Sequence, residues 1–182
     1  MRIGRATALG IASWVGALWV GLLGVGDAAN AAPKLAVLPF DLSFPKSEND
    51  FFYGIRGPSP DEQRRLELSY AELVKRLVED GRYEIVDLSA MAAELKAAQP
   101  FYDCNGCEVD LGAKAKADLV MTSSVDKISE THLSLNIALV DVAKSKLISN
   151  SSVLIQGNTD EAWLHGVKWI AKNRLLAEGK KQ

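Results

Sequence analysis

From residue 132 to residue 139 the chain alternates clearly: Leu133, Leu135, Ile137 and Leu139 face one way, and His132, Ser134 and Asn136 between them are polar. Side chains on a strand point to opposite faces in turn, so a period of two predicts a strand with one buried and one polar face. The run ends in Leu139-Val140-Asp141-Val142, and a turn at residues 143–146 leads into a further strand, LISNSSVLIQG. With LVMTSSV (119–125) upstream, these segments predict a three-stranded antiparallel meander. Thr122, Ser124, Ser134, Asn136, Asn150 and Ser152 all fall on its polar phase. They form either a solvated face or a surface that docks a protein, and small polar residues are generally depleted at interface cores.

Elsewhere the period is helical. Ser59-Pro60-Asp61-Glu62 combines a capping box with proline at the first helical position, Leu66, Tyr70, Leu73, Val74 and Leu77 follow at helical spacing, and Gly81 closes the segment. YEIVDL (83–88) reads as a second strand. Ser89 caps a second, alanine-rich helix through Met91 and Leu95 that stops before Pro100, and EVDLGAKAKADLV (108–120) supplies a third. Asn158 and Glu161 make a capping pair for the last helix, whose apolar stripe is Trp163, Gly166, Val167, Ile170 and Ala171. KLAVLPFDL (34–42) is the first strand, and Pro39 places it at an edge or bends it. The order β-α-β-α-α-β-β-β-α predicts an α/β fold, a mixed five-stranded sheet with helices on one face. Between the first strand and the first helix, SFPKSENDFFYGIRGPSP is too polar and too rich in Pro and Gly for regular structure. Phe51, Phe52 and Tyr53 at its centre either contact a partner or fold back over a core edge.

One apolar stretch has neither period. Residues 6–25 are uncharged and follow Arg2 and Arg5, and Ala29-Asn30-Ala31 fits a small-x-small exit, so the segment reads as a secretory leader cleaved between Ala31 and Ala32. Its length would also allow an uncleaved anchor; the glycines and the small-residue exit favour cleavage. The expected division is a leader over 1–31 and a single α/β domain over 32–182, located in the periplasm with no stable membrane insertion after cleavage. Losing Arg2, Arg5 and Asp27 takes the chain from 21 basic and 23 acidic side chains to 19 and 22, a net charge of −3. There is no basic surplus to neutralise phosphates, so nucleic acid is not an expected partner.

The chemistry of the chain then narrows to Cys104 and Cys107, its only cysteines, in YDCNGCEVD. An even pair of thiols in an exported protein is expected to be oxidised. Closing so small a loop contributes about 2 kcal/mol by the entropy model, and Asn105-Gly106 suits a tight turn with positive φ. A redox reading stays open, because a thiol at a helix start is acidified; against it, Asp103 stands where a tryptophan often precedes exchange motifs. A zinc reading would need His132 and His165, from a strand and a distant helix, to complete the ligand set. No GxSxG or HExxH motif is present, and Asp87, Asp126 and Asp141 lie near strand ends, where turn and capping roles are expected. No catalytic residue, metal or cofactor is therefore assigned.

Leu111-Gly112, Ala117-Asp118, Thr122-Ser123-Ser124-Val125 and Leu139-Val140-Asp141-Val142, together with AVLPF at 36–40, resemble the amino-terminal domain of TolB and the related CsgG-like envelope proteins. The whole, with its CNGC turn and tryptophan-bearing last helix, is also similar to a family of small secreted proteobacterial proteins of unknown function. The resemblance implies a periplasmic, non-enzymatic domain that docks to an envelope or secreted protein. The β-propeller of TolB, and the lipid-bearing cysteine and pore segments of CsgG, have no counterpart here. The function expected is that of an exported accessory module; a thiol-disulfide protein using Cys104 and Cys107, or a carrier of a metal or small ligand, are the alternatives.

Overall fold

Ser59 starts the longest helix as its residues dictate: its side chain accepts from the Glu62 amide while the Glu62 carboxylate accepts from the Ser59 amide, and Gly81 closes the end in the left-handed region. This helix, α1 (Pro60–Asp80), follows strand β1 (Lys34–Ser43). Then come β2 (Glu84–Ile85), a 3-10 turn, α2 (Ala92–Ala98), α3 (Cys107–Lys114), β3 (Leu119–Lys127), β4 (His132–Asp141), β5 (Lys146–Gln156) and α4 (Asp160–Ile170). The computed structural model describes residues 31–44 and 57–177. Residues 1–30 of the expected leader and the Phe51, Phe52 and Tyr53 segment lie outside the described residues; Ala31 and Ala32 are exposed.

The sheet runs β2-β1-β3-β4-β5. β1 is parallel to β2 and β3, and β3, β4 and β5 form the antiparallel meander. Of the two options for Pro39, the bend holds and the edge does not. β1 is an interior strand, and its register to β3 shifts between Val37 and Phe40. β2 pairs only with Lys34 and Leu35, so the missing Pro39 amide costs no ladder bond on that side.

One sheet face carries Leu35, Val37, Met121, Leu133, Leu135, Ile137 and Ile155 against Leu66, Leu73 and Leu77 of α1 and Trp163, Val167 and Ile170 of α4. Fully burying a side chain of this size is worth about 1.5–3 kcal/mol, so this layer dominates the stability. α4 packs closely because Gly166 faces Ile155: a Cβ there would sit 2.7 Å from Ile155 Cγ1. Arg64 and Arg65 of α1 both reach Asp160 at the start of α4, tying the two long helices together. The expectation of helices on one face holds for this long pair. The short helices take the other face, where Ala36, Leu38, Val120 and Val140 meet Leu95, Phe101 and Leu111. Ala36 and Leu38 of β1 and Val120 of β3 are the floor of this second, smaller core.

Two caps differ from expectation. Ser89 is not the cap of the segment that leads into α2; Asp87 accepts from both the amide and the hydroxyl of Ser89 instead. For α4 the cap is Thr159, which accepts from Ala162, while Asn158 accepts from the Trp163 indole and from Arg65. In each case a side chain one or two residues away reaches the orphan donor with better geometry.

Candidate functional site

Beyond the reach of α2 and α3, the second sheet face stays open and polar. Its residues come into register across three strands: Ser124 pairs with Asn136, which pairs with Ser152, and Thr122 pairs with Ala138, which pairs with Asn150. The sequence reading of Thr122, Ser124, Ser134, Asn136, Asn150 and Ser152 as neighbours is therefore met geometrically. The face is also internally bonded. Asp126 accepts from the Ser43 hydroxyl at 2.5 Å and from the Asn136 amide at 2.8 Å, and the hydroxyls of Ser134 and Ser152 lie 3.0 Å apart. These bonds cross four strands and fix the side chains in place.

The wall of this floor is the cystine segment. Cys104 and Cys107 are joined, with a Cα–Cα distance of 5.4 Å. Asn105 and Gly106 between them both take positive φ, as the turn reading requires, and Gly106 stands at the N-cap of α3. Residues Pro100–Tyr102 are held from below by Asp41, a carboxylate only 4% exposed that the sequence reading passed over. Asp41 accepts from the Phe101 amide at 2.5 Å and from the Gln99 side chain at 3.0 Å. Burial pushes its carboxyl up from the ordinary value, and the bonds from Phe101, Gln99 and Tyr102 offset only part of that. The signal available in the sequence is a lone acid closing the apolar run AVLPF; the register shift between Val37 and Phe40 is what turns it to the polar face, where it pairs with Ser124.

Between floor and wall runs a groove in two lobes. The smaller, about 180 Å³, is lined by Asp41, Phe101, Tyr102, Thr122, Ser124 and Asn136. The larger, about 550 Å³, continues past the cystine turn to Glu108, Asp110, Val140 and Leu147, and shares Phe101, Thr122 and Ala138 with the first. Tyr102, half exposed at 50%, stands at the rim.

Other singled-out residues fall elsewhere. His132 bonds the hydroxyls of Ser129 and Thr131, and His165 lines a separate groove beside β5. Among the described residues the one group with ligand spacing is Cys104, Cys107 and Glu108. The two sulfurs are bonded to each other, so the thiolate pair that zinc needs is not available, and neither histidine joins the group. Asp141 keeps the turn role expected of it, accepting from the Lys144 amide, whereas Asp126 is the hub of the polar face.

Residues 33–175 match the family model DUF3280, described as "Protein of unknown function (DUF2380)". The chain belongs to this family. No curated protein matches it significantly. Among solved structures, the DUF3280 chain is similar to the LpoB C-terminal domain from Salmonella enterica (16% identity, 71% of this chain and 87% of that one, TM-score 0.44). It is also similar to the PelC dodecamer from Paraburkholderia phytofirmans (10% identity, 78% and 86%, TM-score 0.47) and to TolB from Acinetobacter baumannii (14% identity, 77% and 28%, TM-score 0.39). For DUF3280 the groove is the feature that needs a functional account.

Proposed function

We propose that this DUF3280 protein is an exported, non-catalytic docking module whose polar sheet face and cystine wall receive a segment of an envelope or secreted protein. The observation that carries the reading is the pre-bonded polar floor beside an exposed tyrosine. Groups already hydrogen-bonded to one another lose little freedom on association, and a tyrosine at the rim adds apolar area with a polar tip. The leader-like start supports export. The experiment is mild crosslinking in intact cells followed by affinity capture, comparing wild type with Tyr102→Ala and Thr122→Arg, each checked for an unchanged melting transition. A second protein captured by wild type and lost from both variants supports the reading. Recovery of this chain alone, with tight binding of a small molecule by the purified protein, overturns it.

A thiol-exchange role is the second reading, favoured by Cys107 at the first position of α3, where the helix N-terminus stabilises a thiolate. Glu108 opposes it: its carboxylate oxygen lies 3.5 Å from the Cys104 sulfur. A double Cys104→Ser, Cys107→Ser variant that folds and still captures the same protein excludes exchange as the function.

A further inference from the structure

The two edges of the sheet are treated differently. β2 is two residues long and offers almost no open backbone, whereas β5 runs for eleven residues, Lys146–Gln156. Natural edges are blunted by brevity, proline, inward charge or bulges. Between Leu147 and Gln156 there is no proline and no charge, and the shift in the β4–β5 register falls at the first residues of the strand. On the polar face its side chains include Ile148, 52% exposed, and Leu154, 70% exposed. Beneath it, Leu154, Ile155, Gln156, Glu161, His165 and Trp169 line a groove of about 620 Å³ between the strand and α4.

We propose that β5 pairs antiparallel with β5 of a second copy of this chain, about a two-fold axis through Ser151, extending the sheet across the dimer. The occupant follows from the strand's own pattern. Such pairing keeps each face on its own side, so Ile148 meets Leu154 of the second copy twice and Asn150 meets Ser152 twice, while Ser151 meets itself. On that face apolar joins apolar and polar joins polar; on the opposite face Ser149 meets Val153. The charges agree as well. Lys146 opens the strand and Glu161 flanks the groove at its far end beside Gln156, and neither makes an ion pair among the described residues. The two-fold brings Lys146 of one copy opposite Gln156 of the other, next to Glu161. A two-fold interface is self-complementary by definition, and the polar face of this strand and the charges at its ends satisfy that condition.

The test uses the full chain in three forms. Wild type should sediment as a dimer, and Ile148→Lys/Leu154→Lys, which alters two exposed side chains, should sediment as a monomer with the same far-ultraviolet spectrum. Under mild oxidation Ser151→Cys should form a covalent dimer at least tenfold faster than Leu154→Cys, whose two sulfurs would sit six residues out of register, roughly 20 Å apart. A monomeric wild type, a dimeric lysine variant, or equal crosslinking at 151 and 154 overturns the proposal. So does a β5 edge that is covered by a different protein while the chain itself stays monomeric.

Discussion

Asp41 shows how much one buried carboxylate decides. Its two acceptor oxygens hold Gln99 and Phe101, and through them the start of the wall that ends at the cystine. Asp41→Ala leaves the Phe101 amide without its partner, which costs about 1–3 kcal/mol; urea unfolding of the variant measures it. Glu62 makes the complementary case. Burial raises its carboxyl, but the hydrogen bonds from Lys127 and Ser59 outweigh burial and hold it at about 2, below its ordinary 4.5. A carboxyl lowered on folding contributes stability that is complete above the unfolded value and is lost as pH falls through the folded one. The loss therefore runs from about pH 4.5 down to about 2, and Glu62→Gln should flatten that limb of the stability profile. Asp41, raised from 3.8, acts in the opposite sense, so the difference between wild type and variant is the quantity to follow. Ser69 offers a gain: its hydroxyl is buried on a helix with no hydrogen-bond partner among the described residues. Ser69→Ala should raise stability by about 0.5–1 kcal/mol, visible as a higher urea midpoint.

At the scale of elements, legibility followed periodicity. β4 and α1 carry clear periods of two and 3.6, and both stand where the pattern puts them. β2 shrank from six residues to two, because only Glu84 and Ile85 find a partner strand before the chain turns towards α2. The cystine turn was legible in its φ angles and silent about its purpose, since spacing says nothing about what a turn packs against. Its contribution to stability is local. Cys104→Ser with Cys107→Ser should lower unfolding free energy by about 2 kcal/mol and leave the circular dichroism spectrum unchanged. Gly112 ties α3 to the sheet: a Cβ there would lie 2.8 Å from Val142 Cγ2 and 3.3 Å from Val120 Cβ. Gly112→Ala gains up to about 1 kcal/mol of helix propensity and loses about 1–3 to overpacking, a net loss to be read from the thermal midpoint.

For the whole molecule, the arrangement of layers leaves one part of the sheet uncovered. α1 and α4 bury one sheet face, the short helices bury part of the other, and what remains open is polar and fixed in place. The open β5 edge lies beside that face, so a dimer through β5 would present two polar floors on one continuous sheet. Folding would then be linked to association. The melting temperature of wild type should rise with protein concentration, and that of Ile148→Lys/Leu154→Lys should not.

The residue pattern by itself determined the strand faces, the long helices, the positive-φ turn at Asn105-Gly106 and the phase of the polar residues. Each of these follows from interactions within a few residues or from the direction in which alternate side chains point. Tertiary structure alone decided that β1 is interior, that α2 and α3 close a second core, and that Asp41 lies beneath the cystine segment. These depend on contacts between residues about sixty or more positions apart, such as Asp41 with Phe101 and Glu62 with Lys127. No local period encodes which element crosses which face, because that choice is made by the total area each arrangement buries.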